Sequence, residues 1–245
     1  MQAEPRTVGS GSWRRWVLAN LIGFTIGGAI GGAVLRATMQ SYFAVPLSGA
    51  DAARVVAVNT GVGMTIWGAL VGTAQWLALR RSLRAGWWLP ATCLGWALSG
   101  VVTGALSGVT GQWDVVVGPD VGVLGVVVAA VAGCILIGLV PSTAQWLVLR
   151  RQVDRAGWWP VAGLGGFAVG FGGGFAVARW GMVNIVHWLR PEDFPSAKAL
   201  VLVGAVAGIL YGAVTWPALT RLLRRAARAA GGAQTEETRA QGAAS

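Results

Sequence analysis

TAQWLALRRSLRAGWW at Thr73 to Trp88 returns as TAQWLVLRRQVDRAGWW at Thr143 to Trp159, and the reading of this stretch decides the fold. In each copy an apolar run ends in Gln-Trp-Leu, crosses an Arg-rich turn and re-enters apolar sequence through Gly-Trp-Trp. A chain that leaves a bilayer and returns to it has this order, because arginines favour the aqueous side and indoles the headgroup level. Outward from the two turns, apolar segments run at about 16–38, 55–79, 87–110, 121–149, 158–178 and 198–219, each near the roughly 20 residues that cross the hydrocarbon core. Six spans follow. They are helices, since each backbone polar group must be satisfied within its own segment, and the short alternating strands of a barrel are absent from the pattern.

The repeat extends beyond the quoted stretch. Trp76, Trp146 and Trp216 stand 70 residues apart, and each precedes basic residues: Arg80 and Arg81, Arg150 and Arg151, then Arg221. Trp16, Trp88 and Trp159 each stand seven residues before a glycine, at Gly23, Gly95 and Gly166. The sequence therefore predicts an all-α integral membrane bundle of six transmembrane helices built from three helical-hairpin repeats. The hairpins lie at about 13–81, 86–151 and 157–225, within a single transmembrane domain over 1–225. The third copy is worn, with Thr215 where the others have Gln75 and Gln145, and Pro217 in place of leucine. Past it, arginines at helical spacing predict a short basic helix to about Ala230, and the polar remainder of 226–245 predicts a disordered cytoplasmic tail.

Composition agrees with lipid as the solvent. Of 245 residues, 55% are apolar and 11% charged, well under the roughly 25% charged content of soluble domains. The net charge of +10 does not point to nucleic acid, because the arginines sit in short clusters between spans. The N-terminal stretch (Arg6, Arg14, Arg15), the two turns (Arg80, Arg81, Arg84; Arg150, Arg151, Arg155) and the tail (Arg221, Arg224, Arg225, Arg228, Arg239) hold 14 of the 19 basic residues. The other side holds Arg36, Arg54, Arg179, Arg190 and Lys198, balanced by as many carboxylates. The positive-inside rule then places both termini in the cytoplasm, with the protein in the inner (plasma) membrane. The N-terminal stretch lacks a cleavable leader pattern, so the first apolar run is expected to stay as an anchor.

Several residues invite a chemical reading. Small residues recur every four positions on the first helix of each hairpin: Gly23, Gly27, Gly31; Gly95, Ser99, Thr103; Gly166, Gly170, Gly174. Such faces let helix backbones approach closely. Their threefold recurrence predicts a pseudo-threefold bundle with these helices at the centre, and a channel lined by the same faces is the functional alternative. Among the 14 tryptophans, Trp13, Trp16, Trp76, Trp87, Trp88, Trp146, Trp158, Trp159 and Trp216 fall at the inner boundary as interfacial anchors, while Trp67 and Trp96 lie deeper and pack in the bundle. Gln75 and Gln145 form a candidate polar intramembrane site at matched depth, either hydrogen-bonding between helices or converging on a substrate.

Other chemistry is disfavoured. No ionisable residue falls mid-span, which argues against a proton or ion pathway; Arg36 and Arg179 snorkel at the outer boundary. His187, the lone histidine, lacks neighbours to complete a metal site, and Cys93 and Cys134 read as small buried residues at different depths. Catalytic triads, phosphate loops and paired carboxylates are missing from the pattern, so no enzyme, metal or cofactor is expected. The expected partners are the lipid bilayer and other membrane-protein subunits, with no nucleic acid.

The repeated QWLxLRR followed by AGWW resembles turns found in a loose group of bacterial multi-pass membrane proteins without an assigned activity. The resemblance covers about residues 68 to 170, and implies a membrane topology rather than a reaction. Three functions are consistent with the sequence: an accessory, scaffold or assembly subunit of a membrane complex; a channel or facilitator for a small neutral solute; or a binder of pigment, quinone or lipid through the Trp faces and His187.

Overall fold

The structure is a computed structural model that describes residues 11–43, 49–80, 82, 85–110, 123–153, 155–184 and 197–243. These form six long helices: α1 (Gly11–Phe43), α2 (Gly49–Leu79), α3 (Trp88–Thr110), α4 (Val123–Leu149), α5 (Trp159–Asn184) and α6 (Ala197–Ala243). No strand occurs among the described residues. Five stretches are long and apolar enough to cross a membrane: Ser12–Ala37, Ala50–Leu79, Trp88–Ser107, Ala156–Ala178 and Lys198–Ala227. In α4 the described apolar stretch is the shorter Ile135–Leu149. The protein is thus an all-α membrane bundle, as the sequence predicts.

The helices stand in a closed ring. Each packs against its neighbours in chain order, and α6 closes the ring against α1. The order of contacts is antiparallel: on α1 and α2, Gly23 faces Val71 while Gly31 faces Gly63, and on α1 and α6, Gly204 faces Phe24 while Gly208 faces Asn20. Between hairpins the chain passes through short 3-10 turns, Ala85–Trp87 and Ala156–Trp158. Arg155 enters the second turn in the left-handed region at φ 58°, a conformation a non-glycine residue adopts mainly in turns.

Burial follows membrane rather than aqueous logic. On α1 the row Leu18, Ile22, Ile26 and Ile30 is exposed, while Trp16, Asn20, Phe24 and the intervening glycines are buried. The outward stripe is aliphatic, and the inward stripe mixes small, aromatic and amide side chains. In lipid the aliphatic stripe gains nothing from burial, so close backbone packing and interhelical hydrogen bonds hold the helices together.

The small-residue faces do not meet at the centre of the bundle. Gly23, Gly27 and Gly31 pack on Val71, Trp67 and Gly63 of α2, Gly95 packs on Pro141 of α4, and Gly166, Gly170 and Gly174 pack on Tyr211, Ala207 and Val203 of α6. Each first helix thus uses its glycines against its own hairpin partner. The residue after the glycine points to the axis instead: Phe24, Trp96 and Phe167, buried with ring centroids 5.5 to 5.9 Å apart. The step of about 100° between consecutive helix residues separates the two roles. The tail also differs from expectation, because α6 continues to Ala243 rather than ending near Ala230. Its Ala, Arg, Gln and Glu content carries high helix propensity past the Gly231–Gly232 pair.

Candidate functional site

Gln75 sits near the end of α2 and Gln145 near the end of α4, each about one turn before its arginines. Both are buried in the bundle. The two amides converge: Gln145 Nε2 donates to Gln75 Oε1 at 3.0 Å and to Thr92 Oγ1 at 3.1 Å. Gln75 Nε2 donates to Asn20 Oδ1 at 2.8 Å, and Asn20 Nδ2 donates to the Trp16 carbonyl at 2.8 Å. Four helices, α1 to α4, meet in these bonds.

Three indoles complete the arrangement. Trp88 Nε1 donates to Gln75 Oε1 at 3.1 Å, Trp159 Nε1 to Gln145 Oε1 at 3.1 Å, and Trp16 Nε1 to Thr215 Oγ1 at 3.0 Å. Each bond joins the second helix of one hairpin to the first helix of the next, and the Trp16 bond returns from hairpin three to hairpin one. Thr215, 70 positions after Gln145, therefore accepts an indole N–H as the two glutamines do, with a shorter side chain. The indoles also touch edge to face, with centroids 6.2 Å apart for Trp16 and Trp159 and 5.8 Å for Trp88 and Trp159. Such pairs contribute about 0.5–1.5 kcal/mol beyond area burial.

This revises the expected role of Trp88 and Trp159. They are not interfacial rings facing headgroups, because both are fully buried, as is Trp16. Their neighbours Trp87 and Trp158 are the exposed members of each Trp pair, at 70% and 73%. The pair straddles the step from the 3-10 turn into the helix, so consecutive rings point in different directions. Trp76, Trp146 and Trp216 are half-buried at the same end. The Arg80 guanidinium lies 5.8 Å from the Trp76 ring and that of Arg150 lies 5.1 Å from the Trp146 ring, within cation–π range. Arg151 is exposed, and Arg81 lies outside the described residues.

Deeper along the axis an aromatic plug follows. Trp67 stacks on Trp96 at 5.7 Å, Phe167 stacks on Phe171 at 5.7 Å, and Tyr211 meets Phe167 at 4.9 Å. Ser99 Oγ donates to Gly95 O on its own helix and to Leu136 O across to α4. The Tyr211 hydroxyl is buried facing Gln75 but makes no hydrogen bond to a described residue.

Chemically the site is nearly closed. Both Gln145 amide hydrogens and both Gln75 oxygen acceptor positions are occupied, which leaves little to offer a substrate. Among the described residues no cluster of His, Cys, Asp or Glu is placed to hold a metal. Cys93 is half-buried, while His187 lies outside the described residues, as does the side chain of Cys134. Sequence reasoning singled out Gln75 and Gln145 but missed Asn20 and Thr92. Their signal is the position four residues after Trp16 and Trp88, one turn further on the same face. Comparison of the chain with models of protein families, with curated proteins and with solved structures finds no match.

Proposed function

We propose that the protein is a non-catalytic accessory or scaffold subunit of a membrane complex, acting through the outer faces of its helices. One observation carries the reading: the amides of Gln75 and Gln145 bond to each other and to Asn20, Thr92 and two indoles, and the axis beyond them is filled by stacked rings. A facilitator for a neutral solute would keep amides unpaired along an open path, as would most binding sites for a polar ligand. The outer stripes, such as Leu18, Ile22, Ile26 and Ile30, remain for lipid or for neighbouring subunits.

The complex lies in the inner membrane with the arginine-rich end in the cytoplasm, supported by the clustering of Arg14, Arg15, Arg80, Arg150, Arg221, Arg224 and Arg225, all exposed, at one end of the bundle. Affinity purification of the full chain from native membranes in mild detergent tests the scaffold role. Co-purification of a stoichiometric membrane protein is expected, and a chain that runs alone at every detergent strength overturns it. Reporter fusions at the C-terminus test the orientation separately, and an externally active reporter would reverse it.

A further inference from the structure

We propose that the seam between α6 and α1, at the arginine-rich end, holds the phosphate of an anionic phospholipid headgroup. This goes beyond the scaffold reading and does not depend on it. The ring of helices has three seams where one hairpin meets the next. Two are crossed by the chain itself, and in the second the turn inserts Val153 and Ala156, both buried, beneath the helix ends. At the third seam no turn crosses among the described residues, and α6 continues outward there as a basic helix beside the start of α1.

A cavity of about 50 Å³ opens there, where α6 and the start of α1 meet the end of α2, lined by Trp16, Leu79, Trp216 and Leu223 together with Arg15 and Ser82. The chemistry suits a phosphate: the Arg15 guanidinium offers paired N–H donors to two oxygens, and the exposed Ser82 hydroxyl can donate to a third. Arg15 is exposed and forms no ion pair among the described residues. The source of the phosphate follows from depth. Trp216 in the lining is half-buried like Trp76 and Trp146 at the same end of the bundle, which sets the rim at the level of an indole belt where lipid phosphates lie. The neighbouring exposed Arg221, Arg224 and Arg225 raise the local concentration of anionic lipid around the mouth.

The test uses the full chain in nanodiscs of phosphatidylcholine containing a minor share of phosphatidylglycerol, released into uncharged detergent and weighed intact. One retained phosphatidylglycerol per chain is expected. Arg15→Gln lowers the bound fraction about fivefold, whereas Arg14→Gln, the same charge loss at an exposed residue outside the cavity lining, leaves it nearly unchanged. Ser82→Trp fills the mouth without altering charge and lowers retention as well, and it decides the matter if Arg15→Gln does not fold. Millimolar inorganic phosphate leaves the lipid in place. Absence of retained lipid in the unaltered chain overturns the proposal. Equal losses in Arg14→Gln and Arg15→Gln would reduce it to diffuse attraction, and displacement by inorganic phosphate would make it a free-anion site.

Discussion

Gln145 Nε2 donates to Gln75 Oε1 at 3.0 Å, so one residue of the repeated turn meets its own counterpart across the bundle, 70 positions away in the chain. The contact has a consequence for how the repeat holds together. Each glutamine also accepts an indole N–H from the next hairpin, so the amide pair links the first two seams between hairpins into one network. In lipid, where apolar surface gives helices no reason to associate, such bonds and the glycine contacts specify which helices are neighbours.

The coupling between the amides is measurable. Gln75→Leu leaves Trp88 Nε1 and Asn20 Oδ1 unpaired in a dry interior, and Gln145→Leu does the same to Trp159 Nε1. Each change is expected to cost about 2 kcal/mol. The double variant loses less than the sum by about 1 kcal/mol, because the shared bond is removed only once. Unfolding of the purified protein in detergent gives all three values. Strict additivity would show that the bond contributes nothing of its own.

Thr215 offers a cleaner deletion. Thr215→Val preserves shape but removes the acceptor of the Trp16 indole, leaving a buried N–H without a partner, at an expected cost of about 1–2 kcal/mol. Thr220→Val is the control, since Thr220 Oγ1 only donates back to the Trp216 carbonyl on its own helix and is half-buried. It is expected to stay within about 0.5 kcal/mol of the parent. The same unfolding experiment compares them.

The two rings of each Trp pair should behave oppositely. Trp88→Phe removes an indole N–H donated to Gln75 and part of the contact with Trp159, with an expected loss of about 1–3 kcal/mol. Trp87→Phe acts at a ring that is 70% exposed and is expected to change stability by less than about 0.5 kcal/mol. Quenching of the 14-tryptophan parent by a soluble quencher, compared with that of Trp87→Phe and Trp88→Phe, gives each ring's share by difference, with the Trp87 share strongly quenched and the Trp88 share protected.

What the sequence shows and what it hides divide along a physical line. Apolar runs, basic turns and the 70-residue spacing reveal spans and hairpins, because hydropathy and charge act on whole segments. Which side of a helix faces inward is a property of single residues, and there the pattern misleads. In lipid both the exposed Ile22 and the buried Phe24 are apolar, so the alternation that marks a buried face in water is missing. Gly-Trp-Trp looks like one interfacial anchor, yet the helix start at Trp88 turns its ring to the axis. Gln75 and Gln145 were legible as residues that an anchor does not need, while their partners Asn20 and Thr92 lie on other helices. Thr215 looked like decay of the repeat, and only the position of Trp16 shows that its hydroxyl still works as an acceptor.

Ring closure itself is open to test at α1 and α6, the seam with no covalent link. A Cβ placed on Gly208 would stand 2.5 Å from the Asn20 carbonyl oxygen, and one on Gly212 would stand 3.0 Å from Val17 Cα. Neither neighbour can yield, since both are backbone atoms of a helix. Gly208→Ala must therefore push α6 away from α1, straining the Trp16 to Thr215 bond and the seat of Asn20 together. An expected loss of about 2–3 kcal/mol follows from overpacking of this kind. Gly172→Ala is the matched comparison, because a Cβ there meets nothing within 4 Å. Its effect should lie between zero and the roughly 1 kcal/mol that alanine gains over glycine inside a helix. If closure by backbone contact holds the ring, cross-linking of cysteines introduced on facing positions of α1 and α6 also falls in Gly208→Ala and stays unchanged in Gly172→Ala. Equal cross-linking in both variants would mean that the seam tolerates separation and that the first two seams alone hold the bundle.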